Sequence, residues 1–241
     1  MNAIKLENVS KDFEGLSVLA NLTLEINAGE FIGFLGPSGC GKSTLLSLIS
    51  GLSTPSQGQI TNTFSKKNTS FVFQEASLMP WQTVEKNISL PLELLGKNKQ
   101  EITIEVAKKL TMFHLENYAN YYPRQLSGGM KMRTSLARAL VSNPQLLLMD
   151  EPFASLDELL REKCANEVLE ISKHQNLTSI LVTHSIPEAV YLCDKIYVLS
   201  HKPSKIIEVI ELKKELPQEK TPAFRGMKKF NTLCENIRAI L

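Results

Sequence analysis

The chain has 241 residues, 43% of them apolar, and its 27 Lys and Arg against 25 Asp and Glu leave a formal charge of +2. That composition suffices for a substantial core, and with no basic stripe alternating with aromatics it argues against nucleic acid as a partner. Cys40, Cys164, Cys193 and Cys234 form no C-x-x-C pair, Met1 to Glu7 lacks an apolar signal core, and no stretch approaches the roughly 20 apolar residues that span a bilayer. Reduced thiols are expected, with any membrane role exerted through other chains.

In chain order, Ile4 and Leu6 alternate with polar residues, and Leu22 to Ile26 do the same, which predicts an antiparallel hairpin layer. Phe13 lies between these strands. Its ring either stacks on a nucleotide base, a contact worth about 1–3 kcal/mol, or fills the core beneath the hairpin. Phe31 to Leu35 is a buried-strand run, and Thr44 to Ile49 a helix that Gly51 can terminate.

Between strand and helix stands Gly36-Pro37-Ser38-Gly39-Cys40-Gly41-Lys42-Ser43-Thr44, a full match to the phosphate-loop pattern G-x-x-x-x-G-K-[ST]. Glycines at 36, 39 and 41 let the backbone turn its N–H groups onto an anion at a helix N-terminus. Lys42 would reach the β- and γ-phosphates, and the Ser43 hydroxyl would enter the shell of Mg²⁺. A nucleoside triphosphate is the expected ligand. The thiol of Cys40, inside the loop, is expected to be alkylated unless nucleotide protects it.

After a turn-rich break at Ser53 to Gly58, Thr69 to Phe73 reads as a buried strand, with Gln74 just past its carboxyl end, where ligands of parallel sheets gather. From Thr83 to about Leu140 the period becomes helical: Val84, Ile88, Leu92, Leu95, then Ile102, Val106, Leu110 and Phe113. This predicts an inserted helical subdomain over 83–140, with Pro91 a kink. Leu126-Ser127-Gly128-Gly129-Met130 opens its last helix. Ser127 stands near the N-cap, and two glycines leave the helix end open to an anion.

Gln145 to Asp150 is another buried strand, ending in Asp150 and Glu151. Successive strand residues point to opposite faces, so the two acids cannot share a job: one can hold Mg²⁺ and the other polarise a water. Ser179 to Thr183 is a further apolar strand with His184 at its end, where an imidazole can bond a phosphate. Lys195 to Leu199 and Lys205 to Ile210 predict a closing hairpin. Beyond Pro217, Phe224, Met227, Phe230, Leu233 and Ile237 predict a terminal helix.

Taken together, the chain resembles the nucleotide-binding subunit of an ATP-binding cassette (ABC) transporter from about Ile4 to Ile210. Gly36 to Thr44 match the Walker A loop, Gln74 the Q-loop and Leu126 to Met130 the signature. Leu146 to Asp150 match the Walker B strand with Glu151 after it, Ser155 to Asp157 the D-loop, His184 the switch histidine, and Phe13 the A-loop aromatic. The resemblance implies an α/β P-loop NTPase: a mixed, mostly parallel sheet core with an antiparallel β subdomain (1–82 and 141–210), the inserted α-helical subdomain (83–140) and a C-terminal helical tail (211–241).

It also implies roles. Lys42, Gln74, Glu151 and His184 would serve catalysis, with Glu151 the general base. Ser43, Gln74 and Asp150 would hold Mg²⁺. Ser127, Gly128 and Gly129 would close on ATP bound by a partner copy, and Asp157 would help set the dimer contact. A dimer on integral-membrane permease subunits at the cytoplasmic face of the cell membrane would follow, fed indirectly by an extracytoplasmic solute-binding protein. Gln74 to Trp81, Met130 in the signature and Glu151 to Asp157 look most like importers of nitrate, sulfonate and taurine type, although Met130 stands where most cassettes have Gln and Lys131-Met132-Arg133 departs from the usual signature helix. Two other classes are weighed. A nucleic-acid ATPase on this cassette would carry a long coiled-coil insertion where only about 80 residues separate the two motifs. A non-hydrolysing regulatory module would have lost its lysine or base.

Overall fold

The computed structural model describes residues 2–215 and 222–241, so Pro217 and the rest of the 216–221 stretch of the expected tail lie outside the described residues. Strands β1 (Asn2–Phe13), β2 (Leu16–Asn27) and β4 (Gln57–Asn62) form an antiparallel sheet in the order β2-β1-β4. Strands β3 (Phe31–Leu35), β5 (Thr69–Val72), β6 (Leu146–Asp150), β7 (Thr178–Thr183), β8 (Lys195–Leu199) and β9 (Ile206–Glu211) form a second sheet in the order β5-β6-β7-β3-β8-β9. All its pairs are parallel except β8 with β9, the expected closing hairpin.

The central strands are buried on both faces, as their unbroken apolar runs require, and the two-residue period divides them between two cores. Ile32, Phe34, Leu146 and Leu148 pack with the antiparallel sheet and with α1 (Lys42–Ile49). Phe31, Leu35, Leu147 and Met149 face the other way, towards the remaining helices. The helical stretch comprises α2 (Val84–Leu94), α3 (Lys99–Met112) and α4 (Gly128–Leu140). Thr83 caps α2 by accepting from the Lys86 N–H, Asn98 caps α3 from Glu101, and Ser127 caps α4 from Met130. Val84, Ile88, Leu92, Val106 and Leu110 join the same apolar cluster as the sheet face, so the insertion is packed onto the sheet by shared core.

Helices α5 (Glu158–His174) and α6 (Ile186–Leu192) follow β6 and β7, and neither was anticipated from periodicity. Nor was β4, a strand of almost wholly polar residues held by pairing with β1. The strand expected over 69–73 is shorter and lies at the sheet edge, where only Val72 is fully buried. Pro91 lies inside α2, whose helix continues to Leu94. The short α7 (Leu212–Glu215) precedes the terminal α8 (Lys228–Ile240), which packs through Phe230, Leu233, Cys234 and Ile237, with Met227 at its N-cap and half-exposed.

Candidate functional site

The loop between β3 and α1 is shaped by what surrounds it. Gly41 has φ 114°, and a side chain there would come within 2.8 Å of Val18 Cγ1 on β2, so glycine alone lets the loop pass beneath the antiparallel sheet. From behind, the buried Ser204 hydroxyl donates to the Cys40 carbonyl at 2.6 Å, while the Ser204 backbone pairs with Val18 and Ala20. No side chain caps α1, so its first N–H groups are open to an anion. Lys42 is folded onto the loop, donating to the carbonyls of Gly36 at 2.8 Å and Pro37 at 2.9 Å.

The two acids part at the end of β6. Asp150 is its last residue and is buried, with its carboxyl hydrogen-bonded to the Ser43 side chain. Burial raises its pKa; the Ser43 bond works against that rise, the Glu151 charge adds to it, and Lys42 offsets it. Glu151 leaves the strand in the left-handed region, φ 47°, a conformation that costs a non-glycine residue on the order of 1 kcal/mol. The turn swings its carboxylate to His184, whose Nδ1 lies 3.0 Å from Glu151 Oε2.

A cleft of about 360 Å³ is lined by Ser38, Gly39, Gly41, Lys42, Ser43, Thr44, Gln74, Glu151 and Lys202. Strand order explains the gathering: β6, β7, β3 and β8 are successive neighbours, and their carboxyl ends deliver Glu151, His184, the glycine loop and the loop bearing Lys202 to one edge. Among the described residues no group of three His, Cys, Asp or Glu could hold a metal unaided. The Ser43 hydroxyl, the Asp150 carboxylate and the Gln74 amide oxygen are hard oxygen donors of the kind Mg²⁺ takes alongside substrate phosphates, so the residues fit that ion as one shared with a nucleotide.

Other expected contributors do not line this cleft. Phe13 ends β1 and is 48% exposed beside the Lys11 ammonium, which rules out the core role beneath the hairpin. Cys40 is only 2% exposed, its thiol turned into the apolar core near Gly36, so any contact it makes with an anion is through the backbone and the expected thiol alkylation is corrected. Ser127, Gly128 and Gly129 open α4 but do not line the cleft. Gly129 instead faces the turn after Glu151, where a side chain would meet Leu156 at 3.2 Å.

Sequence reading passed over Lys202 and Ser204, whose approach to the glycine loop depends on β8 lying next to β3. It also passed over Glu188 and Arg161, which lie behind the His184 turn. For Glu188 a signal existed, since an acid three residues after a Ser N-cap is a helix-start signature.

A nucleotide-phosphate site at the strand ends of a P-loop sheet, with an antiparallel sheet on one side and a helical insertion on the other, defines a P-loop NTPase. The chain belongs to the ABC transporter ATP-binding family: the family model described as "ABC transporter" matches residues 19–154. It is 43% identical to an uncharacterised ABC transporter ATP-binding protein of Methanocaldococcus jannaschii, over 90% of this chain and 85% of the relative. It is 40% identical to the aliphatic sulfonates import ATP-binding protein SsuB of Bacillus subtilis, over 88% and 84% of the two chains. A spermidine/putrescine import ATP-binding protein PotA of Nitrosospira multiformis is also 40% identical, but the match spans 61% of that longer protein. Among solved structures, a dimeric bacterial ABC transporter cassette matches with a TM-score of 0.80 at 32% identity, over 87% of this chain and 98% of that one. The same cassette in a post-hydrolysis state with ADP and Pi matches with a TM-score of 0.75. The chain is thus an ATP-binding ABC ATPase.

Proposed function

We propose that two copies of the chain, each on an integral-membrane permease subunit at the cytoplasmic face, bind and hydrolyse ATP to energise import of a small anionic solute of sulfonate, taurine or nitrate type. The observation that carries the dimer is the separation of two anion-binding helix ends within one chain: α1 lines the cleft, while the Ser127 end of α4 does not. Each phosphate site then needs the α4 end of a second copy. The dimeric cassette among the solved relatives supports the same arrangement.

In this reading Lys42 and the loop N–H groups hold the phosphates, and Ser43, Asp150 and Gln74 hold Mg²⁺, which neutralises phosphate charge when bound. Glu151 accepts the proton of the attacking water, and His184 steadies both Glu151 and the γ-phosphate. Phe13 supplies a face for the base. Permease docking is assigned to a groove of about 610 Å³ lined by Phe71, Phe73, Met79, Leu90, Leu94 and Arg138, between β5 and the helical insertion, with Phe73 next to Gln74 in the chain. Among the described residues no helix is long and apolar enough to cross a membrane, in keeping with a spanning part on separate chains. An extracytoplasmic receptor would deliver the solute. Relatives named for sulfonate import support an anionic cargo, and the PotA relatives make a polyamine the competing reading.

The test is reconstitution with the permease encoded nearest to this chain, measuring ATP-dependent uptake of taurine, an alkanesulfonate, nitrate and spermidine. Uptake of an anion supports the proposal. Uptake of spermidine alone overturns its cargo, and a strictly monomeric ATP-bound Glu151→Gln variant overturns the shared site.

A further inference from the structure

Behind the cleft a closed set of polar contacts holds the His184 turn. Thr183 and Glu188 are both buried; the Thr183 hydroxyl donates to Glu188 Oε2 at 2.8 Å and accepts from the Ser185 N–H at 3.0 Å. The Glu188 N–H in turn points to the Ser185 hydroxyl at 3.5 Å, so Thr183 is bonded to the carboxylate directly and Ser185 is linked to the same residue through the Thr183 hydroxyl and the Glu188 backbone. The other oxygen of that carboxylate, Oε1, lies 3.7 Å from Arg161 Nε on α5. Arg161 also donates to backbone, Nη2 to the Leu156 carbonyl at 2.9 Å and Nε to the Phe153 carbonyl at 3.3 Å, so its link to Glu188 is an ion pair and not a hydrogen bond. The turn it grips runs from Glu151 to Asp157, and Leu156 is the side chain against which Gly129 packs.

A glutamate buried beside a hydroxyl and a guanidinium is an expensive way to fill space. Its removal would leave Arg161 without its carboxylate, and removal of Arg161 would leave the Leu156 carbonyl without its side-chain donor and the Phe153 carbonyl with the Leu156 N–H alone. We infer that Glu188 and Arg161 are positioning residues for ATP hydrolysis: their bridge makes the placement of His184 and that of the Phe153–Leu156 turn a single event. A γ-phosphate contact at His184 would then be felt at Asp157 and at Leu156, where Gly129 packs, and a partner contact at that turn would be felt at Glu151. The inference rests on the reading of Glu151 and His184 as the groups that face the γ-phosphate. Neither bridge residue lines the cleft, so substrate binding itself should not depend on them.

The experiment is a double-mutant cycle on the full chain with Glu188→Ala, Arg161→Ala and the pair, plus Glu188→Gln, which keeps an acceptor for Thr183 and drops the charge. Steady-state hydrolysis, binding of a fluorescent ATP analogue and thermal melting are measured for each. The expected result is at least a tenfold loss of kcat in either alanine variant with analogue Kd within twofold of the parent. The double variant should be no slower than the worse single, and Glu188→Gln should lose about threefold. The inference is overturned by kcat within twofold of the parent in Glu188→Gln and Arg161→Ala, by single losses that multiply in the pair, or by Kd rising in step with the loss of kcat. Should Glu188→Ala fail to fold, the isosteric Glu188→Gln with Arg161→Ala decides the matter alone. Glu151→Gln is run alongside: full activity there defeats the underlying reading, whereas a dead Glu151→Gln beside fully active bridge variants defeats this inference only.

Discussion

Glu151 Oε2 and His184 Nδ1 are 3.0 Å apart: the two residues directly follow the paired strands β6 and β7, and Glu151 meets the ring from a left-handed turn. The carboxylate is therefore held at the mouth of the cleft by a partner of its own before any phosphate contact is considered. Replacing Glu151 by Gln keeps its size and an acceptor for the ring. ATP turnover should fall by at least about 10²-fold, the usual weight of a general base, with nucleotide affinity retained and an ATP-bound dimer that persists in size-exclusion chromatography with light scattering. Ordinary turnover in that variant would remove Glu151 from the role.

The Phe13 ring is available at the end of β1. Phe13→Ala should weaken binding of adenine nucleotides by roughly 5- to 150-fold, corresponding to about 1–3 kcal/mol of base stacking, and Phe13→Tyr should restore it. Titration with a fluorescent ATP analogue reads this directly, and unchanged affinity in the alanine variant would exclude the ring from the base site.

Thiol chemistry should be silent in the native state. All four cysteines are buried, and burial pushes the Cys164 thiol up to about 11, which leaves little thiolate to react at pH 8. Ellman's reagent should find four thiols per chain in guanidinium and essentially none within minutes in buffer. Rapid labelling of Cys40 that MgATP suppresses would show that the loop opens away from its Ser204 anchor.

The pH dependence of stability bears on Glu188. Burial, the largest influence, raises its pKa, while Thr183, Arg161 and His184 act to lower it and Glu151 to raise it. A carboxyl whose folded pKa lies above the unfolded one favours folding while protonated, and that contribution is lost as pH rises through the folded value. Glu188→Gln should therefore melt above the parent at pH 8, with the gap closing below the ordinary glutamate range. A variant that is more stable yet slower would be the signature of a charge kept for positioning. A parent that melts higher at pH 8 would contradict the sign.

Legibility of this chain from sequence followed the chemistry of each signal. The glycine loop, Gln74, Asp150, Glu151 and His184 were readable because each sits at the end of a strand with an apolar run, and parallel strands deliver their ends to one edge. Ser127 was readable as a cap. Helix α5 was missed although Asp157 caps it, because exposed acids and lysines dilute its apolar face. β4 was missed because its order comes from pairing, which leaves no alternation to see. Lys202 and Arg161 reach their places only through strand order and helix packing, which no local pattern encodes, and the Ser185–Glu188 pattern marks a helix start without placing Glu188 behind His184.

The C-terminal segment carries a practical consequence. Phe224 is buried and meets Phe230 edge-on at 5.3 Å, while the Arg225 guanidinium lies over the Tyr191 ring at 4.0 Å and pairs with Glu162 at 2.6 Å. One strap thus closes over both α5 and α6. Trimming the gene after residue 215 to obtain a smaller cassette would strip the greasy backs of those helices, and the product should be recovered from inclusion bodies sooner than from the supernatant.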